Sequence, residues 1–190
     1  MAVLYHQIEQ DNFLDWGITE LPRVASFYTG SGMRDPMPDP MVFEVSFPTK
    51  AHIPHYFECV IPVCSDYLVK TLREAGADNF EAYRAVLKNP KVGEEWGGFW
   101  AINVIGIVAA VNAQKSEGDT IMNGDAGGVA TPLVAYDTIV LDKKKTFDLP
   151  MFRLAESPHC LLIHDRINKY LDDNPPPDGW GFDATEIETV

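Results

Sequence analysis

From Tyr56 onward the chain sets short apolar runs between polar breaks, and the breaks hold residues that start and stop elements. Phe57-Glu58-Cys59-Val60-Ile61-Pro62-Val63 reads as a strand whose proline suits an edge or a strand end. Ser65-Asp66 then supplies N-cap chemistry, and Tyr67, Leu68, Thr71, Leu72 and Ala75 recur at helical spacing until Gly76. Residues 80–87 predict a strand, and Pro90 with Gly93 to Gly98 predicts a loop. Residues 99–111 predict a buried strand or a short buried helix, and their β-branched content favours strand for at least part. Residues 133–141 and 147–154 are two further strands about a Lys143-Lys144-Lys145 turn. Leu161-Leu162-Ile163 is a last strand, with a helix over 165–171.

The first fifty residues are punctuated by Gly30, Gly32, Pro36, Pro38, Pro40 and Pro48, which favours loops and edge strands over helices. The stretch 42–47 is the one strand expected there.

The two helical segments repeat each other. Asp66, Leu68 and Leu72 correspond to Asp165, Ile167 and Leu171 at a constant offset, and each set follows an apolar strand through a capping Asp. Strand, cap and helix in succession is also a common pattern. The expected fold is α+β, with mixed or antiparallel sheets, a few helices and two related strand-cap-helix units around residues 57–76 and 160–172. It forms a single domain, 1–190, with pseudo-repeat halves of about 1–98 and 99–190.

Hydrophobic residues make up 46% of the 190 and charged residues 23%, enough apolar surface for a core and unlike a disordered chain. Charge changes the picture more, because the net value is −13. Residues 1–20 and 172–190 contain no Lys or Arg and contribute −4 and −6, leaving −3 for residues 21–171. Binding to DNA, RNA or an anionic membrane is disfavoured, since each needs clustered cations; basic partners are favoured. Acidic termini also serve solubility alone. No secretory signal is expected, and the most apolar run, 101–113, is too short for a bilayer core of roughly 30 Å. Cys59, Cys64 and Cys160 are an odd, sparse set that suits a reducing compartment, so a cytoplasmic location is expected.

Three segments contain residue types capable of chemistry. His52, His55 and Cys59 offer imidazole and thiolate for a metal, but Pro54 breaks the helix that would align the histidines. Cys64-Ser65-Asp66, with His159-Cys160 and His164-Asp165, holds the types of nucleophile, base and orienting acid, although capping explains Ser65, Asp66 and Asp165 more simply and no nucleophile elbow surrounds Ser65. Gly124-Asp125-Ala126-Gly127-Gly128 lacks the Lys-Ser or Lys-Thr of a phosphate cradle and reads as a loop. No catalytic residue, cofactor or metal is assigned on these grounds. Trp96, Trp100 and Trp180 read as core or rim aromatics, and Trp96 and Trp180, each beside glycines, also as interface candidates.

Pro62-Val63-Cys64-Ser65, then Leu72, Gly76, Asp78-Asn79 and Glu81-Ala82-Tyr83, resembles the first half of the immunity-protein-eleven family of bacterial polymorphic-toxin systems, which is common in myxobacteria. Trp100-Ala101-Ile102-Asn103-Val104 with Lys115-Ser116 is similar to that family's central segment. Phe152-Arg153-Leu154, residues 161–171 and Gly179-Trp180-Gly181-Phe182 are similar to its last half. The resemblance covers about residues 56–183. Departures stand at His164-Asp165, where a Ser often begins the second helix, and at Val111-Asn112, where acidic residues are frequent.

The resemblance implies a non-catalytic cytoplasmic protein that occludes a cognate toxin or effector. A partner with a basic surface fits the charge, and Asp11, Asp15, Asp172, Asp173, Asp178 and Trp180 are the expected contacts. The competing readings are a small hydrolase or metalloprotein using His52, His55, Cys59 or Cys64-Ser65-Asp66, and an inhibitor or chaperone of a secreted protease or secretion component.

Overall fold

The computed structural model describes residues 2–11, 17–22, 24, 30–33, 36–50, 52–59, 61–126 and 129–190. One mixed sheet contains β2 (Ile18–Glu20), β3 (Met41–Val45), β4 (Tyr56–Phe57), β5 (Val63–Ser65), β6 (Phe80–Asn89) and β7 (Glu94–Val104), ordered β2-β3-β6-β7-β5-β4. A second contains β1 (Ala2–Gln10), β8 (Ile107–Val108), β11 (Val140–Leu141), β12 (Met151–Leu154), β13 (Leu161–His164) and β14 (Phe182–Thr189), ordered β11-β14-β1-β13-β12-β8. A separate ribbon pairs β9 (Glu117–Ala126) with β10 (Val129–Thr138). The helices are α1 (Asp66–Glu74) and α2 (Asp165–Asp173), with a 3-10 turn at Lys143–Lys145. The fold is α+β.

Both sheets use one device. β5 leads through α1 to β6, and β7 lies between these strands, antiparallel to each. β13 leads through α2 to β14, and there β1 takes the middle place, again antiparallel to both. β3 runs parallel to β6 as β11 does to β14, and β4 is antiparallel to β5 as β12 is to β13. The middle strand of the second sheet therefore comes from the opposite end of the chain. A division near residue 98 does not follow the sheets, because it cuts β7 and separates β1 from the strands it joins.

The helices meet in a shared core. Leu68 and Leu72 of α1 and Ile167 and Leu171 of α2 are buried with Ile8, Ile102, Val104, Leu161 and Ile163. Strand alternation then sends Leu162 to the opposite face, where it packs with Tyr5, Leu141, Phe152 and Leu154. The outer face of the first sheet buries Phe43, Phe47, Phe57 and Leu87 in a third cluster. Each such side chain contributes roughly 1.5–3 kcal/mol by leaving water.

Several expected elements are shorter or divided. The stretch 57–63 is no single strand; Phe57 ends β4, and β5 begins at Val63 and returns antiparallel to it. The loop expected at Gly93 to Gly98 is mostly strand, since β7 starts at Glu94. Residues 99–111 form the end of β7, a break at Gly106 (φ 138°) and β8, with no helix. The stretch 133–141 falls in β10 and β11, and only Met151–Leu154 of the stretch 147–154 is strand, because Phe147 and Asp148 have φ of 53° and 54°. Gly124 to Ala126 close β9 instead of forming a loop, and Gly127 and Gly128 lie outside the described residues. No described helix is long and apolar enough to cross a membrane.

Candidate functional site

The residues with chemical potential take structural partners. Ser65 is the N-cap of α1, its Oγ accepting from Leu68 N at 3.1 Å, so the cap is Ser65 and not Asp66. His55 Nδ1 lies 2.6 Å from the same oxygen. This pair has the contact of nucleophile and base, yet Ser65 is only 8% exposed and its oxygen is already engaged in capping. Burial, with His52 nearby, holds the His55 imidazole below its ordinary proton affinity. Asp66 instead accepts from Trp100 Nε1.

Cys59 donates to Ile61 O, His52 lies 3.7 Å from Asp178, and His55 faces Ser65, so these three side chains have separate partners. Among the described residues no group of three or more His, Cys, Asp or Glu is placed to hold a metal. Burial pushes the Cys59 thiol up to about 12 and raises Cys64 and Cys160 as well, which disfavours thiolate chemistry.

The second helix has a different cap. His164 Nδ1 accepts from Arg166 N at 3.1 Å, which leaves the ring proton on Nε2 to donate to Asp148 Oδ1 at 3.2 Å when the ring is neutral. Asp165 is again not the cap. Lys169 at 2.5 Å, and then His6 at 3.1 Å, hold its carboxyl below the ordinary range.

The acidic ends come together. β1 and β14 are neighbours over eight residue pairs, with Glu9 opposite Asp183 and Gln10 opposite Phe182. Asp11 N then donates to Gly181 O at 3.1 Å, continuing the contact past the strand. Glu58 joins from the first sheet, where its backbone and carboxylate bond reciprocally with Gln10 at 3.0 and 2.9 Å. Glu9, Glu58 and Asp183 are exposed, whereas Glu186, also exposed, alternates to the other face of the sheet. Neither end is a free tail, and together they form an acidic seam.

Of the expected contacts, Asp11 lies on this seam and Asp178 on the loop leading to it. Asp172 and Asp173 are exposed at the C-terminal end of α2, where no basic residue occupies the last turn. Asp172 accepts from Asn168 Nδ2 at 3.1 Å. Trp180 does not belong to the exposed surface: it is 8% exposed, donates to Leu171 O at 3.2 Å and stacks on Tyr67 with ring centres 5.4 Å apart. Its role is to pin the loop after α2 against α1. Asp15 lies outside the described residues.

Two open hollows flank Trp100, one of about 370 Å³ running over Lys70, Arg73 and Ala82 and another of about 280 Å³ over Arg84 and Val86. Sequence reasoning missed the seam, although residues 182–185 alternate apolar and polar positions as a half-buried strand does. No protein-family model and no curated protein matches this chain.

Proposed function

We propose that this chain is a cytoplasmic immunity protein that neutralises a cognate toxin or effector by covering it, without catalysis and without a cofactor. The observation that carries the proposal is the acidic seam, above all Glu9 opposite Asp183. Like charges directly opposite in a sheet cost stability, and so do carboxylates at a helix C-terminus such as Asp172 and Asp173. Both arrangements are relieved when a cationic surface docks. Local rules of this kind are broken where function demands it. The same field steers a basic partner and raises its association rate at low salt.

The resemblance of residues 56–183 to the immunity-protein-eleven family supports the class of partner. The proposal includes two related halves, supported by the equal lengths of α1 and α2, their shared offset of 99 residues and the matching strand order around them.

The test is capture from a lysate of the native cells at low salt, followed by elution with rising salt. A single basic protein released at high salt, whose toxicity this chain suppresses when the two are co-expressed, is the expected result. Stoichiometric zinc that is lost on His52→Ala or His55→Ala would replace this reading with the metalloprotein alternative.

A further inference from the structure

We infer that the β9–β10 ribbon is a docking arm, and that its occupant is an extended basic segment of a partner protein added as a third strand along β9. This rests on the proposal of a basic protein partner and names where and how that partner is held.

The ribbon is an unusual element to leave alone. Each of its strands is ten residues long, and among the described residues no third strand pairs with either. A two-stranded hairpin is marginal in water by itself, and an open strand edge is a template for another chain. The arm is anchored at its base, where Ser116 Oγ bonds with both Val140 N and Val140 O, and again at mid-strand, where Val134 N donates to Glu156 O at 2.8 Å. On β9 beside that mid-strand anchor, Ile121 is 63% exposed and Met122 56%. These neighbours sit at a bulge, where Met122 faces Leu133 and Thr120 faces Val134, so that Ile121 has no opposite residue. A bulge breaks the alternation of faces and re-aims side chains.

The two edges are not equivalent. On β10, Val134 N is already spent on Glu156 O, and Pro132, two residues earlier on the same side, has no N–H to give. That edge is blunted. β9 contains no proline. Residues directly opposite in an antiparallel pair share orientation, so Thr120, facing Val134, turns its N–H and C=O away from β10 toward the open side.

Charge decides between possible occupants. From Ser116 to Asp142 the chain has Glu117, Asp119, Asp125, Asp137 and Asp142 and no Lys or Arg. A second copy of the same ribbon would set acid against acid, whereas a strand rich in Lys or Arg with apolar residues between them would satisfy the edge, the charge and the exposed Ile121 and Met122 together. Strand addition gives affinity through main-chain bonds and selectivity through alternate side chains.

The probe is a capped ten-residue peptide alternating Lys with Val and Thr, compared with the same peptide N-methylated at every second residue. The methylated form keeps the charge and loses the donors that a ladder needs. With the full chain, amide hydrogen exchange is expected to slow at least tenfold across β9 with the parent peptide and not with the methylated one. Thr120→Pro is expected to abolish the protection without altering the thermal midpoint, because its N–H takes no part in the ribbon ladder, and Asp119→Lys gives an independent weakening. Equal protection by both peptides, or protection confined to β1 and β14, would overturn the inference. A dimer stabilised by high salt would overturn it in favour of a second copy. If a basic protein is captured from lysate and Thr120→Pro binds it as well as wild type, the arm is refuted while the immunity reading stands. If the peptide adds to β9 but this chain suppresses no toxicity, the reverse holds.

Discussion

Glu9 lies directly opposite Asp183 across the antiparallel pair formed by the first and last strands. The two carboxylates come from two acidic segments without Lys or Arg, residues 1–20 and 172–190, so pairing the strands concentrates charge that the sequence places 174 residues apart. Replacing Glu9 by Lys turns repulsion into attraction. Glu9→Lys is expected to stabilise the isolated protein by a few tenths to about 1 kcal/mol, measured by urea unfolding, with the gain shrinking at high salt. A loss of stability would mean that the two side chains do not face each other.

Ser65 anchors the start of α1 and receives His55 as well. Ser65→Ala removes the cap to Leu68 N and is expected to cost about 1–2 kcal/mol, read from the shift in denaturation midpoint. Partner binding should be unchanged once folded. A variant that keeps full stability would show that the capping geometry is not what Ser65 contributes.

Glu156 is buried beside the middle of β10, and its Oε2 has no hydrogen-bond partner, while Oε1 accepts from Val111 N at 3.2 Å. Burial raises its carboxyl above the ordinary 4.5. The folded protein then holds this proton more tightly than the unfolded chain, so stability due to Glu156 is greatest below pH 4.5 and falls as pH rises through the folded value. Glu156→Gln should therefore gain stability relative to wild type as pH rises from acid to neutral. A pH-independent difference between the two unfolding curves would contradict this.

Gly181 joins the loop after α2 to β14 with φ of 82°, and a Cβ there would lie 2.6 Å from Pro54 Cβ. Both the left-handed backbone and the contact demand glycine. Gly181→Ala is expected to cost roughly 1–3 kcal/mol and to loosen the Asp11–Gly181 hydrogen bond, visible as faster exchange of the Asp11 amide. An unchanged thermal midpoint would refute the close approach.

What was legible in the sequence was local. Ser65, the Leu68/Leu72 spacing and Gly76 delimit α1 within one residue, and Leu161 to Ile163 followed by Asp165 locates β13 and α2, because caps, periodicity and stops all act within a few residues. In the second helix the cap is His164, one position before the expected Asp165, while in the first Ser65 caps and Asp66 beside it does not, since an aspartate at the first helical residue looks like a cap in sequence. β1 and β14 were not legible. Their charged residues dilute the apolar pattern, and a pairing between residues 2–10 and 182–189 leaves no local signature. The sequence shows two acidic ends; only the topology joins them into one surface. Trp180, read both as a core or rim aromatic and, from its glycine neighbours, as an interface candidate, is buried by its stack on Tyr67.

The most direct test is the association rate with the basic protein captured from native lysate, measured against ionic strength for wild type and for the Glu9→Lys, Asp183→Lys double variant. The account predicts at least a tenfold slower association for the variant at low salt, with the two rates converging as salt rises and the Debye length falls. Equal rates and equal salt dependence for a correctly folded variant would contradict the claim that the seam receives the partner.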